Sequence, residues 1–245
     1  MFDQLKQRFE PVLSEFMQTK TMAALARGEM TREEYRSVMK QIFHHTRENP
    51  QLQALATVFF RGRDRDMVKL FYNHATSEIG HDQLALNDFE TLGGDPEMVP
   101  YENPLPATSA MLAYGFYQIY NQNPVGYLGY LFFLEFSGTG AGEGIMNALR
   151  NAGIPDNAMT FLRDHTVIDV GHNRLMERYA AQMVKDERDV DAVVYSMKTS
   201  AFLYAQMIDA AVADAHANAF TGWNWEELNA DRVTPPARKA ATVVA

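Results

Sequence analysis

Prolines and glycines are not spread evenly along this chain. They gather at 93–106, 122–129 and 151–155, and the long stretches between them carry apolar residues at helical spacing. Segments of that length are too long for strands, and none shows apolar/polar alternation bounded by hairpin turns. The fold class this dictates is all-α. The spacing predicts a first helix over Asp3 to Arg27, with Pro11 as the place for a break. Thr31-Arg-Glu-Glu34 is a capping box that starts a second helix running to about Glu48. A long helix is expected from Arg65 to Leu92, closed by Gly93-Gly94, and others over 107–121, 124–150, 156–184 and 188–218. No linker divides the chain, so residues 1–222 read as one domain and 223–245 as a C-terminal tail.

Composition narrows the function. A net charge of −9 and a pI near 5.2, with no run of Lys and Arg, exclude the basic face that nucleic acid requires. No charged residue lies between Asn103 and Leu134, but Gln118, Asn121, Gln122, Asn123 and Pro124 interrupt that stretch. It reads as two buried core helices and not as a membrane span. The N-terminus lacks the apolar core of a signal peptide, which makes the cytoplasm the expected compartment. The chain has no cysteine, so disulfides, thiolate metal sites and thiol nucleophiles are excluded, and any metal must be held by nitrogen and oxygen.

Two segments share one pattern: His74-Ala-Thr-Ser-Glu78-Ile-Gly-His81 and His165-Thr-Val-Ile-Asp169-Val-Gly-His172. At 100° per residue, positions i, i+4 and i+7 fall within about 60° of one another. Each helix would therefore present imidazole, carboxylate and imidazole on one face. Acid-x-x-His is the spacing by which helical bundles offer a carboxylate and an imidazole to one ion, and Glu78-x-x-His81 and Asp169-x-x-His172 both have it. A bundle site of this kind takes further carboxylates from other helices. Glu135 is the best candidate, because an unpaired carboxylate among Phe132, Phe133, Leu134 and Phe136 is not tolerated. Glu143, on the same helix, is the next. The expected metal residues are thus His74, Glu78, His81, Glu135, His165, Asp169 and His172. His44 and His45 read equally as buried structural histidines or as ligands. Sulfur-free donors suit one or two iron ions, ahead of manganese or zinc. Tyr114, Tyr117, Tyr127 and Tyr130 are placed to line an adjoining pocket.

These residues carry a resemblance. Met30-Thr-Arg-Glu-Glu-Tyr-Arg-Ser-Val-Met39 with Phe43-His44 resembles the second helix of heme oxygenases and their relatives. Tyr127-Leu-Gly-Tyr-Leu and Ser137-Gly-Thr-Gly-Ala-Gly-Glu-Gly144 resemble the glycine-kinked distal helix of that fold. Together with the candidate ligands, the chain from about 10 to 215 is similar to the heme-oxygenase-like diiron oxidases, or iron-containing redox enzymes. The resemblance implies a bundle of about seven to eight helices and a nonheme iron oxidase or oxygenase acting on dioxygen and a small organic substrate. Many members place a glutamate where this chain has His74. Glu78 could take over that role, and the site could then hold a single metal, or a pair only with substrate present. No histidine precedes His44, against a heme ligand on the first helix, and thiaminase-like chemistry would need a cysteine. The alternatives are a cofactor-free oxidase resembling pyrroloquinoline-quinone synthase and a non-enzymatic helical metal-binding or interaction protein. A homodimer is among the assemblies left open.

Overall fold

The computed structural model of the protein describes residues 1–60, 65–217 and 221–222, and for 167–170 the backbone alone. The described residues form ten α-helices and no β-strand: α1 Phe2–Met17, α2 Lys20–Ala26, α3 Arg32–Thr46, α4 Asn49–Leu55, α5 Arg65–Glu78, α6 His81–Thr91, α7 Pro106–Asn121, α8 Tyr127–Asn151, α9 Thr160–Met183 and α10 Glu187–Asp214. The bundle therefore has more helices than the seven or eight expected. Two of the extra ones come from expected long helices that are each divided, and a further short one, α4, forms after Glu48. Residues 223–245, expected as a tail, lie outside the described residues.

The first division falls at Gln18-Thr19 and not at Pro11, which sits inside α1. Thr19 is extended and its Oγ1 donates to the Phe16 carbonyl at 2.7 Å, closing α1 and starting α2. The second division lies between Glu78 and His81. Gly80 takes φ +100°, a left-handed conformation that glycine adopts at no steric cost, and so ends one helix and starts the next. The other boundaries follow the sequence closely. Thr31 and Glu34 form the capping box of α3, and Gly93, with φ +88°, closes α6.

Packing centres on α8. Leu5, Phe9, Val12 and Phe16 make one buried stripe of α1, and Phe16 meets Phe133 of α8 edge-on at 5.3 Å. On the other side α8 approaches α10 closely at Gly129, where an added Cβ would lie 2.0 Å from the Val193 carbonyl oxygen. At Gly142 a Cβ would press on Thr166 of α9. Gly129 and Gly142 of α8 are thus the sites at which α10 and α9 draw in. The charge-free stretch divides in outcome. The first half of α8 is buried as expected, whereas α7 exposes Phe116, Tyr117 and Tyr120 along one face. No helix among the described residues is long and apolar enough to cross a membrane.

Two polar side chains cap helices that follow them by many residues. Gln41 of α3 accepts from the Leu105 amide and the Thr108 hydroxyl at the start of α7. Asp88 of α6 accepts from the Thr160 amide and hydroxyl (2.9 and 2.7 Å) and from the Phe161 amide (2.9 Å), satisfying the N-terminus of α9. That second cap ties together two helices that carry candidate metal residues.

Candidate metal centre

α5, α6, α8 and α9 bring six of the seven candidate ligands together. His74 ends its Nε2 3.1 Å from Glu135 Oε1 and 3.7 Å from Glu78 Oε1. His172 Nδ1 lies 3.0 Å from Glu135 Oε2 and 3.4 Å from Glu78 Oε1. One ligand atom from each of His74, Glu78, Glu135 and His172 falls within 4.8 Å of the others. A second set, Glu78, His81 and His165, meets the same limit. Glu78 belongs to both. Its Oε2 faces His81 Nδ1 at 3.2 Å, and the His81 and His165 rings meet edge-on with centroids 5.0 Å apart. The seventh candidate, Asp169, lies on α9, and its side chain falls outside the described residues.

The continuous face expected for the first triplet is not what brings it together. The break at Gly80 puts His74 and Glu78 at the end of α5 and His81 at the start of α6, and Ile79 is 70% exposed. The glycine turn redirects His81 so that it still meets Glu78. α9, by contrast, runs unbroken through Gly171.

Partners outside the donor set fix the orientation of the imidazoles. His165 Nδ1 donates to the Phe161 carbonyl at 2.7 Å, which leaves Nε2 with its lone pair. Burial, the largest influence on His165, lowers its pKa and keeps that ring neutral. His74 Nδ1 is 3.3 Å from both the Tyr179 hydroxyl and Gln53 Nε2. The Tyr179 hydroxyl also lies 3.4 Å from the Leu70 carbonyl. Burial pushes Glu135 up, but the imidazoles of His172 and His74 outweigh it and hold the carboxylate well below its ordinary range. For His172 burial is again the largest influence and pulls the pKa down. The hydrogen bond to Glu135 and the charges of Glu135 and Glu78 together reverse it, and the pKa is raised.

Two observations fit the site to a metal ion. Glu78 Oε1 is buried and accepts no hydrogen bond among the described residues, although it sits between His74 and His172. A buried carboxylate oxygen left this way is costly unless a cation completes it. The donors are also all imidazole nitrogen and carboxylate oxygen, the set that suits iron.

A family model described as iron-containing redox enzyme matches residues 36–205. The chain belongs to that family. Among solved structures, this chain is similar to a domain of unknown function with a heme oxygenase-like fold from Shewanella denitrificans. The two are 25% identical, with 98% of each chain covered and a TM-score of 0.77. A TenA homologue from P. horikoshii is 14% identical, with 86% of this chain and 97% of that one covered and a TM-score of 0.66. A second TenA homologue, from Pyrococcus furiosus, is 12% identical over 86% and 100% of the two chains, with a TM-score of 0.62. At those identities the TenA homologues show the fold alone. No curated protein matches this chain.

Among the described residues, neither His44 nor His45 joins a donor set. His45 Nε2 pairs instead with Tyr130 at 2.8 Å, while His44 is buried beside Phe43. Glu143 is exposed and lies 3.6 Å from Arg150. His74, Glu78, Glu135 and His165 share the wall of a cavity of about 150 Å³. Tyr114, Tyr117, Tyr127 and Tyr130 do not line it. Tyr117 is exposed, and the tyrosines that line the wall are ones the pattern missed, Tyr35 and Tyr204. Tyr35 follows Thr31 of the capping box by four residues, on the stripe that continues through Met39, Ile42 and His45; that stripe was the signal available in the sequence.

Proposed function

We propose that this protein is a nonheme iron oxidase or oxygenase that uses dioxygen to oxidise a small organic substrate at a site for one or two iron ions. The single observation that carries the reading is the sharing of Glu78 between two donor sets. His74, Glu135 and His172 would hold one ion with it, and His81 and His165 a second. Asp169 is proposed as a further ligand on the strength of its place in the second triplet. When bound, iron supplies the reduction of dioxygen that no amino-acid side chain can perform.

The protein's own part is orientation and exclusion of water. Phe161 fixes the tautomer of His165, Tyr179 and Gln53 hold the His74 ring, and Glu135 is gripped from two sides. The cavity that begins at these donors is walled mainly by aliphatic and aromatic side chains, which keeps water from the reacting groups. The test is an anaerobic titration with ferrous iron. Binding of one to two ions per chain, followed by a charge-transfer absorption band on admitting oxygen, is expected. No iron binding above background would sink the reading.

A further inference from the structure

The cavity says more about its occupant than the donors do. It is walled by apolar side chains from six helices, among them Phe16, Leu25, Val38, Leu131, Leu162 and Ile208. Along α3 the wall extends from Tyr35 to Thr46, eleven residues or about 16 Å of helix. The wall along that length is mainly apolar, which suits an aliphatic molecule. Among the described residues, no Lys or Arg reaches the wall, so an anionic group would find no side-chain cation there. Mainly apolar pockets set ligand orientation by a small number of placed polar groups.

His45 is such a group. It is 2% exposed and lines the cavity, yet it stands outside both donor sets. Its Nε2 is 2.8 Å from the Tyr130 hydroxyl, and that hydroxyl donates to Asn49 Oδ1 at 3.1 Å. Tyr130 has one proton and gives it to Asn49, so the Nε2–H of His45 must be the donor in the other bond. With the Tyr130 proton on Asn49 Oδ1, the lone pair of His45 is on Nδ1. No described protein group donates to Nδ1. Burial drives the His45 pKa down to about 4, so the ring is neutral and its lone pair remains available at physiological pH.

We propose that the cavity takes an aliphatic molecule carrying a hydrogen-bond donor, which His45 Nδ1 accepts, and that this bond decides which part of the molecule faces His74, Glu78, Glu135 and His165. The assignment names the substrate class of the site proposed above. It rests on that reading for the reaction, and not for the binding.

The test compares 1-decanol with its methyl ether, 1-methoxydecane, by calorimetry on the metal-free protein. The two share the chain, but only the alcohol has a donor. The alcohol should bind at least tenfold tighter. The double variant His45→Phe/Tyr130→Phe removes both partners of the internal bond and should bind the two probes equally. His45→Asn, whose Oδ1 stands near the position of Nδ1, should restore part of the preference. Equal binding of the two probes by the wild-type protein, or no binding of either, overturns the proposal without any variant being needed. So does a double variant that keeps the preference. Ferrous iron is titrated separately. Selective binding of decanol with no iron binding leaves this inference standing and sinks the proposed function, and the reverse result does the opposite.

Discussion

Glu78 and His81 stand on either side of a helix break, yet Oε2 of one lies 3.2 Å from Nδ1 of the other. The turn that permits this is built on a left-handed glycine. Its counterpart in the second triplet, Gly171, precedes His172 in the same way but sits inside a continuous helix. Identical sequence positions therefore have opposite conformational demands.

Substituting the two glycines should give opposite signs. Neither Gly80 nor Gly171 has an atom within 4 Å of an added Cβ, so backbone preference alone decides. Gly80→Ala should destabilise by about 1–2 kcal/mol, the cost of a left-handed non-glycine residue. Gly171→Ala should stabilise by about 0.5–1 kcal/mol, the helix-propensity difference. Urea unfolding of both variants measures this, and equal signs would show that the break at Gly80 is misassigned.

Iron stoichiometry should separate the two donor sets. His165→Ala touches only the Glu78, His81, His165 set and should leave one ion bound through the other. Glu78→Ala removes the residue common to both and should lower affinity at each. Anaerobic ferrous titrations of the two variants, read beside the wild type, distinguish a shared carboxylate from two independent sites.

Glu135→Gln tests the buried carboxylate. The amide keeps one acceptor oxygen but turns an NH2 toward one of the two imidazoles that now reach the carboxylate at 3.0 and 3.1 Å. Helical content by circular dichroism should be unchanged, iron affinity should fall at least ~10-fold, and oxygen consumption should be lost. Full iron content and reactivity in this variant would make Glu135 a structural residue.

Acid should unfold the protein partly through α3. Burial lowers the pKa of His44 to about 3 and that of His45 to about 4, from 6.5. Both are neutral in the folded chain, and on unfolding below pH 6.5 both take up protons. Their contribution to stability is full above pH 6.5 and is lost as pH falls toward 4 and then 3. Each histidine adds a slope of about 1.4 kcal/mol per pH unit within that window. His44→Phe should remove one such increment. Unfolding free energies measured at pH 7, 6 and 5 for the variant and the wild type give the difference directly; parallel curves would refute it.

Much of this was legible in the sequence, for a physical reason. Helical periodicity and spacing state which residues share a face, so the two triplets and Glu135, stranded among phenylalanines, stood out before any coordinates. Spacing does not state which neighbour a face meets. The bond between His45 and Tyr130 spans 85 residues, and nothing local in either segment announces it. The break at Gly80 was missed because a single glycine is tolerated inside a helix, as Gly171 demonstrates. Of the tyrosines expected from α7, Tyr117 failed as a pocket residue because an uncharged helix can still turn its aromatics outward, and Tyr114 is buried away from the cavity.

The cap that Asp88 places on Thr160 and Phe161 sets the origin from which α9 is counted. His165 sits five residues beyond that origin, and His81 sits seven before Asp88 on the helix that supplies it. The vertical offset between the two imidazoles is therefore a property of two helical rises and one carboxylate. The connection enters only through packing, since Ile154, Ala158 and Met159 are buried in the core. Residues inserted before them, at the exposed Gly153, would change the path of the chain but not the register of the histidines, as long as Asp88 still finds the first two amides of the helix.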